Sequence, residues 1–213
     1  MVSESVTIPS GGAVLAGDLE IPGGAHGMVL FAHGSGSSRH SPRNRAVASA
    51  LRSAGFATVL LDLLTEDEER EDALTGEHRF DIGLLSRRLA HAIDWLERRP
   101  DTVGLPVGLF GASTGAAAAL VAAAERPGRV SAVVSRGGRP DLAGDVLTEV
   151  ASPVLLVVGG DDVAVLGLNR QAAEQLSGEV RVHVVPGATH LFPEPGALEE
   201  VARLAADWFR EHL

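Results

Sequence analysis

The 213-residue chain contains no cysteine and no lysine. The first absence removes disulfides, thiolate metal sites and any cysteine nucleophile. The second excludes Schiff-base chemistry and a Walker-type phosphate loop, since both need a lysine amine; all 18 basic residues are arginine. Long apolar runs are missing too. The longest, Ala116 to Ala124, is mostly alanine and about half of the roughly 20 residues a membrane span requires. Met1 to Val6 lacks the basic and apolar regions of a signal peptide, so a cytoplasmic location is expected. Positive charge is scarce: 18 arginines face 28 acidic residues, for a net charge of −10. With no basic stripe to offset that balance, nucleic acid is an unsuitable partner. No histidine pair stands at helical ligand spacing beside a carboxylate, so neither a metal nor any other cofactor is expected.

What remains is an ordinary globular composition, 45% hydrophobic and 22% charged, with length for one domain over residues 1–213 and a core on both faces of a sheet. Val2 to Ile8 and Val14 to Ile21 read as a hairpin across Pro9-Ser10-Gly11-Gly12, a turn longer than two residues. Met28–Ala32 is a short, continuously apolar strand, as for a parallel strand buried on both faces, and further strands follow at Ala57–Leu61, Val107, Val130–Ser135, Pro153–Val158 and Val180–Val185. Helical patterns alternate with them: Pro42 to Ala54, Ile82 to Arg98, the alanine run to Glu125, Asn169 to Leu176, and Ala197 to His212. This is an α/β pattern of about eight strands, mostly parallel, with helices on both faces and an antiparallel opening hairpin. Glu66 to Asp72 places six carboxylates in seven positions, which predicts a solvated excursion.

The strand at Val107 runs into Gly111-Ala112-Ser113-Thr114-Gly115 and then directly into the alanine helix. This is Gly-x-Ser-x-Gly in the strand-turn-helix setting that exposes a serine as a nucleophile; the plainer role for such a serine is a helix cap. Ligands in parallel sheets bind at the carboxyl ends of the strands, so the partners of Ser113 are sought there. His33 to Ser38, Asp62, Arg136 to Asp141, Asp161-Asp162 and His190 occupy those places. His190, in the loop after the last strand, is the candidate base, whereas His183 lies within that strand. Asp161, Asp162 and Asp141 are candidates for the acid that orients it, and the order Ser…Asp…His is that of α/β-hydrolases. Amide donors for an oxyanion are expected from Thr114, at the helix N-terminus, and from Ser35, in the glycine-flanked loop after the Met28 strand. Arg39, Arg43, Arg136 and Arg139 lie near these loops and read first as surface ion pairs, with carboxylate recognition as the second reading.

Taken together, His33-Gly-Ser-Gly, Gly111-x-Ser113-x-Gly115, Val157-Val-Gly-Gly-x-Asp162 and Gly187-Ala-Thr-His190 resemble the α/β-hydrolase superfamily over essentially the whole chain, and within it the small, capless dienelactone hydrolase-like group. The resemblance implies Ser113 as nucleophile, Asp162 as acid, His190 as base, and Ser35 and Thr114 as oxyanion-hole amides. The name-giving dienelactone hydrolases carry cysteine where this chain carries Ser113, so a serine carboxylesterase is the nearer analogy. The expectation is hydrolysis of carboxylic esters of short acyl chains in an uncapped site. A thioesterase, lactonase or acyltransferase with the same triad, or a non-catalytic ligand-binding member of the fold, are the alternatives. The expected partner is a small-molecule ester, with a homodimer left open.

Overall fold

The computed structural model describes residues 1–213. Eight strands form one sheet: β1 (Val2–Ser10), β2 (Ala13–Ile21), β3 (Met28–Ala32), β4 (Ala57–Leu61), β5 (Val107–Ala112), β6 (Val130–Arg136), β7 (Val154–Gly159) and β8 (Val180–Val185). Their order is β1-β2-β4-β3-β5-β6-β7-β8. β1 and β2 run antiparallel to their neighbours, and all pairings from β4 through β8 are parallel. The opening turn is tighter than the sequence suggests. Ser10 pairs with Ala13, and only Gly11 and Gly12 connect the strands, both at positive φ. A two-residue turn with two positive φ angles has the twist of a hairpin, which two consecutive glycines supply without steric cost.

Six helices cover the sheet: α1 (Pro42–Ser53), α2 (Glu66–Thr75), α3 (Ile82–Leu96), α4 (Thr114–Glu125), α5 (Val163–Ala173) and α6 (Ala197–His212). Strand alternation divides the core into two layers. Leu30, Leu109 and Val133 face Leu89, Ile93 and the buried alanines of α3 and α4. Val29, Phe31, Phe110 and Val134 face Val47 and Leu51 of α1 and Val201, Trp208 and Phe209 of α6. The alanines of α4 let its backbone lie close to the sheet, and Ala116 to Leu120 are fully buried. A 3-10 segment at Pro140–Glu149, broken at Gly144, packs on α4. No cap domain is present.

The acidic run is not an irregular excursion. It forms α2, opened by a capping box in which Thr65 Oγ1 accepts from Glu68 N–H and Glu68 accepts from Thr65 N–H. Gly76, at φ +72°, closes the helix. Buried partners account for the acids that turn inward. Arg88, 4% exposed, donates to both oxygens of Glu68 at 2.6 and 2.7 Å. Asp72 accepts from the His78 and Arg79 amides and from Arg79 Nε at 2.7–2.9 Å. Glu66, Asp67 and Glu71 face solvent, as their charge requires.

Candidate active site

Ser113 sits between β5 and α4 with φ 51° and ψ −121°, a conformation that costs a non-glycine residue about 1–3 kcal/mol. Three backbone hydrogen bonds hold it: its N–H donates to Arg136 O, and its carbonyl accepts from Ala116 and Arg139 N–H. The glycines make the turn sterically feasible. A Cβ on Gly111 would lie 2.4 Å from Ala116 Cα, and one on Gly115 would lie 2.3 Å from Ala32 O. Both contacts are backbone and cannot yield.

His190 and Asp162 come together across β7 and β8. His190 Nδ1 lies 2.6 Å from Asp162 Oδ2; with the carboxylate ionised, Nδ1 carries the proton and Nε2 is left as the acceptor. Of the three candidate acids, only Asp162 makes this contact. Asp141 is held by the Arg139 guanidinium through two hydrogen bonds of 2.7–2.8 Å, and Asp161 is exposed. Asp162 precedes α5 without capping it. Ser113 Oγ and His190 are not hydrogen-bonded to each other. They flank the same short segment: Ser113 N–H reaches Arg136 O, and a Cβ on the next residue, Gly137, would stand 3.6 Å from His190 Nδ1.

Thr114 N–H and Ser35 N–H, the two expected oxyanion donors, have no partner within the protein. The loop carrying Ser35 is pinned by His33, which sequence reading placed among the strand-end residues without assigning it a role. His33 Nδ1 donates to Gly34 O at 2.9 Å, and Nε2 accepts Leu63 N–H at 3.0 Å. Because Nε2 accepts, the ring is neutral and held at both nitrogens; burial pulls its pKa below the usual histidine value, although the Gly34 carbonyl and Asp62 oppose this. Three further glycines have steric roles: Gly34 and Gly159 stand in motifs read from the sequence, whereas Gly137 was not singled out. A Cβ on Gly34 would meet Ser113 Cβ at 3.0 Å, one on Gly159 would lie 2.3 Å from Ala188 O below the His190 loop, and one on Gly137 would lie 3.0 Å from His190 O. Their signal lies in contacts between distant segments, which a single sequence does not display.

A cleft of about 470 Å³ opens beside the turn, lined by His33, Ser35, Leu63, Glu69, Leu85 and Thr114 among others. Helix α2 forms one wall, so the acidic run borders the site. Glu69 has no ion-pair partner; burial and the charge of Asp62 raise its pKa. The arginines divide in two. Arg39 is bound to Asp62 and Arg139 to Asp141, as expected of ion pairs; Arg43 and Arg136 have no carboxylate.

Comparison with known proteins places the chain in a family. The dienelactone hydrolase family model matches residues 16–213, and the chain belongs to that family. Its structure superposes on a dienelactone hydrolase from Anabaena variabilis with a TM-score of 0.98 and 58% identity, covering 100% of this chain and 98% of that one. Est1E from Butyrivibrio proteoclasticus shares the fold at a TM-score of 0.82 and 17% identity, over 97% of this chain and 98% of its own. A Mycobacterium tuberculosis protein provisionally named a phosphoribosyl transferase is 59% identical over 210 residues, covering 99% of this chain and 46% of its own length. The chain thus spans about half the length of the curated relatives it matches. No helix is long and apolar enough to cross a membrane.

Proposed function

We propose that the protein hydrolyses carboxylic esters through Ser113, His190 and Asp162. The observation that carries this reading is the Asp162–His190 hydrogen bond of 2.6 Å beside a serine held in a strained turn with φ 51°. His190 Nε2 takes the proton from Ser113 Oγ as that oxygen attacks the ester carbonyl. The Ser35 and Thr114 amides receive the oxyanion, aided at Thr114 by the positive end of α4. His190 then returns the proton to the departing alkoxide, and water, deprotonated by His190, releases the acid from the acyl-enzyme.

The cleft supports small, polar substrates. Its walls carry serine hydroxyls, His33 and Glu69, with only short apolar stretches at Leu63, Leu64 and Leu85; a long acyl chain would find little to bury against. We read residues 1–213 as one hydrolase domain, and we do not extend the phosphoribosyl transferase name to it. Ser113→Ala should abolish turnover of aryl acetates and butyrates, and a fluorophosphonate should add to Ser113 alone, as read by mass spectrometry. Turnover retained in Ser113→Ala would overturn the assignment. An acyl-chain and leaving-group panel, run on the wild type, separates ester from thioester and lactone hydrolysis.

A further inference from the structure

Two arginines of the chain are buried, Arg88 and Arg136. Arg88 is neutralised by Glu68. Arg136, 6% exposed, has no carboxylate, and its Nε and Nη1 have neither a partner nor contact with solvent. The only charge that acts strongly on it is that of another cation, Arg43, whose Nε is likewise buried and unpartnered. Burial and this like charge pull the Arg136 guanidinium down to about 10, which still leaves it protonated at neutral pH. A third positive influence meets them. Arg43 is the second residue of α1, where the helix dipole is positive, and the first turn of that helix has no acidic residue. Guanidinium nitrogens buried without a partner, beside a second cation and without an anion, are not how buried arginines are normally arranged.

Its position is informative. Arg136 is the last residue of β6 and pairs with Ala112, immediately before Ser113, while its carbonyl accepts the Ser113 N–H. Along β6 it shares a face with Val134 and Ala132, which pack in the α1–α6 layer. Arg136 therefore lies on the sheet face that α1 and α6 cover, opposite α4, near enough to Arg43 at the start of α1 for the two charges to act on each other. Asn44, the next residue of α1 after Arg43, is buried with Oδ1 unpartnered.

From this arrangement we infer that Arg136 and Arg43 form an anion-binding position beside the nucleophile turn, which receives a carboxylate or phosphate group carried by the substrate. An oxyanion there would accept the guanidinium hydrogen bonds and neutralise the clustered charge, as planar guanidinium groups do for carboxylates and phosphates. Anion binding stands on the two arginines alone; its use as a substrate subsite rests on the hydrolase reading above.

The test is calorimetric titration of the wild-type protein with inorganic phosphate and, separately, with succinate, repeated on Arg136→Gln and Arg43→Gln. At least one anion should bind the wild type and raise its Tm, and each substitution should weaken that binding by about tenfold or more. Tighter binding of phosphate assigns the position to a phosphate group, and tighter binding of succinate assigns it to a carboxylate. If neither anion binds, or if both variants bind as the wild type does, the inference is overturned. Should Arg136→Gln fail to fold, the half-buried Arg43→Gln decides the matter alone. The substrate role is read separately, as selectivity for an aryl hemisuccinate over an aryl acetate. That ratio should fall about tenfold in Arg43→Gln. An unchanged ratio would remove the substrate role while leaving anion binding in place, and loss of all ester turnover in the wild type would remove the hydrolase reading without touching the titration.

Discussion

The two flanks of Ser113 treat their polar groups differently. On the side of β3, β4 and α2, the inward-facing side chains other than Glu69 are closed by partners: His33 between Gly34 O and Leu63 N–H, Asp62 on Arg39, Glu68 on Arg88, and Asp72 on Arg79. On the side of β6, β7 and β8, bonding capacity is left over. His190 has one nitrogen engaged and one free, and Arg136 is buried with no counter-charge. A closed network fixes geometry, because no member can leave without exposing an unsatisfied partner. Open capacity at a strand end serves whatever arrives from outside. One flank therefore frames the cleft and the loop that carries Ser35, and the other leaves groups free to act on what enters that cleft.

This contrast can be broken by substitutions on either side. The largest effect is expected on the open flank: Asp162→Asn should reduce kcat by about 10⁴-fold, because His190 loses the acceptor that sets its tautomer. Asp141→Asn, a few residues beyond β6, should leave ester turnover close to wild type, and a comparable loss there would mean the acid has been misassigned. On the closed flank the effect should be on stability. Arg88→Met leaves Glu68 without its partner and should cost about 3–5 kcal/mol in urea unfolding, part of it regained in the double variant Arg88→Met/Glu68→Gln. If the single variant loses less than the double, the pair is not what holds α2 in place.

Proton linkage sharpens the same point. The Arg88 hydrogen bonds and charge hold Glu68 down to about 2 from its ordinary 4.5. Its contribution to stability is therefore complete above about 4.5 and lost as pH falls from there through about 2. In Glu68→Gln the thermal unfolding profile should flatten across that interval. His33 acts in the same direction at higher pH. Its folded pKa is depressed by burial, so the unfolded chain binds a proton more readily, and stability should begin to fall as pH drops below about 6.5, the ordinary histidine value. The smallest effect is expected from His33→Ala, which leaves the Leu63 amide unpaired at about 1–3 kcal/mol and should lower kcat by loosening the loop that carries Ser35. A variant that loses stability yet keeps full kcat would detach His33 from the oxyanion site.

Much of the fold was legible in the chain because its signals are local. Five-residue apolar strands, a proline opening α1 and an alanine run opening α4 each declare themselves within a short window. The hairpin turn was read too long, since Pro9 and Ser10 look like turn residues but pair in the sheet. The acidic run was read as solvated because composition does not reveal Arg88, 20 residues beyond Glu68.

By itself the sequence determined the chemistry that was possible: serine rather than cysteine, arginine rather than lysine, and a serine, an aspartate and a histidine in the order of a hydrolase triad. It also supplied Gly111 and Gly115, without which the turn at Ser113 could not form. Only the tertiary structure decided which partner each group received. Asp162 rather than Asp141 meets His190 because β7 and β8 are neighbours, while Asp141 is captured two residues away by Arg139. Arg39 and Arg139 became ion pairs, and Arg136 was left bare under α1. Those outcomes turn on distances between segments far apart in the chain, which are set by the packing of the whole sheet rather than by any local run of residues.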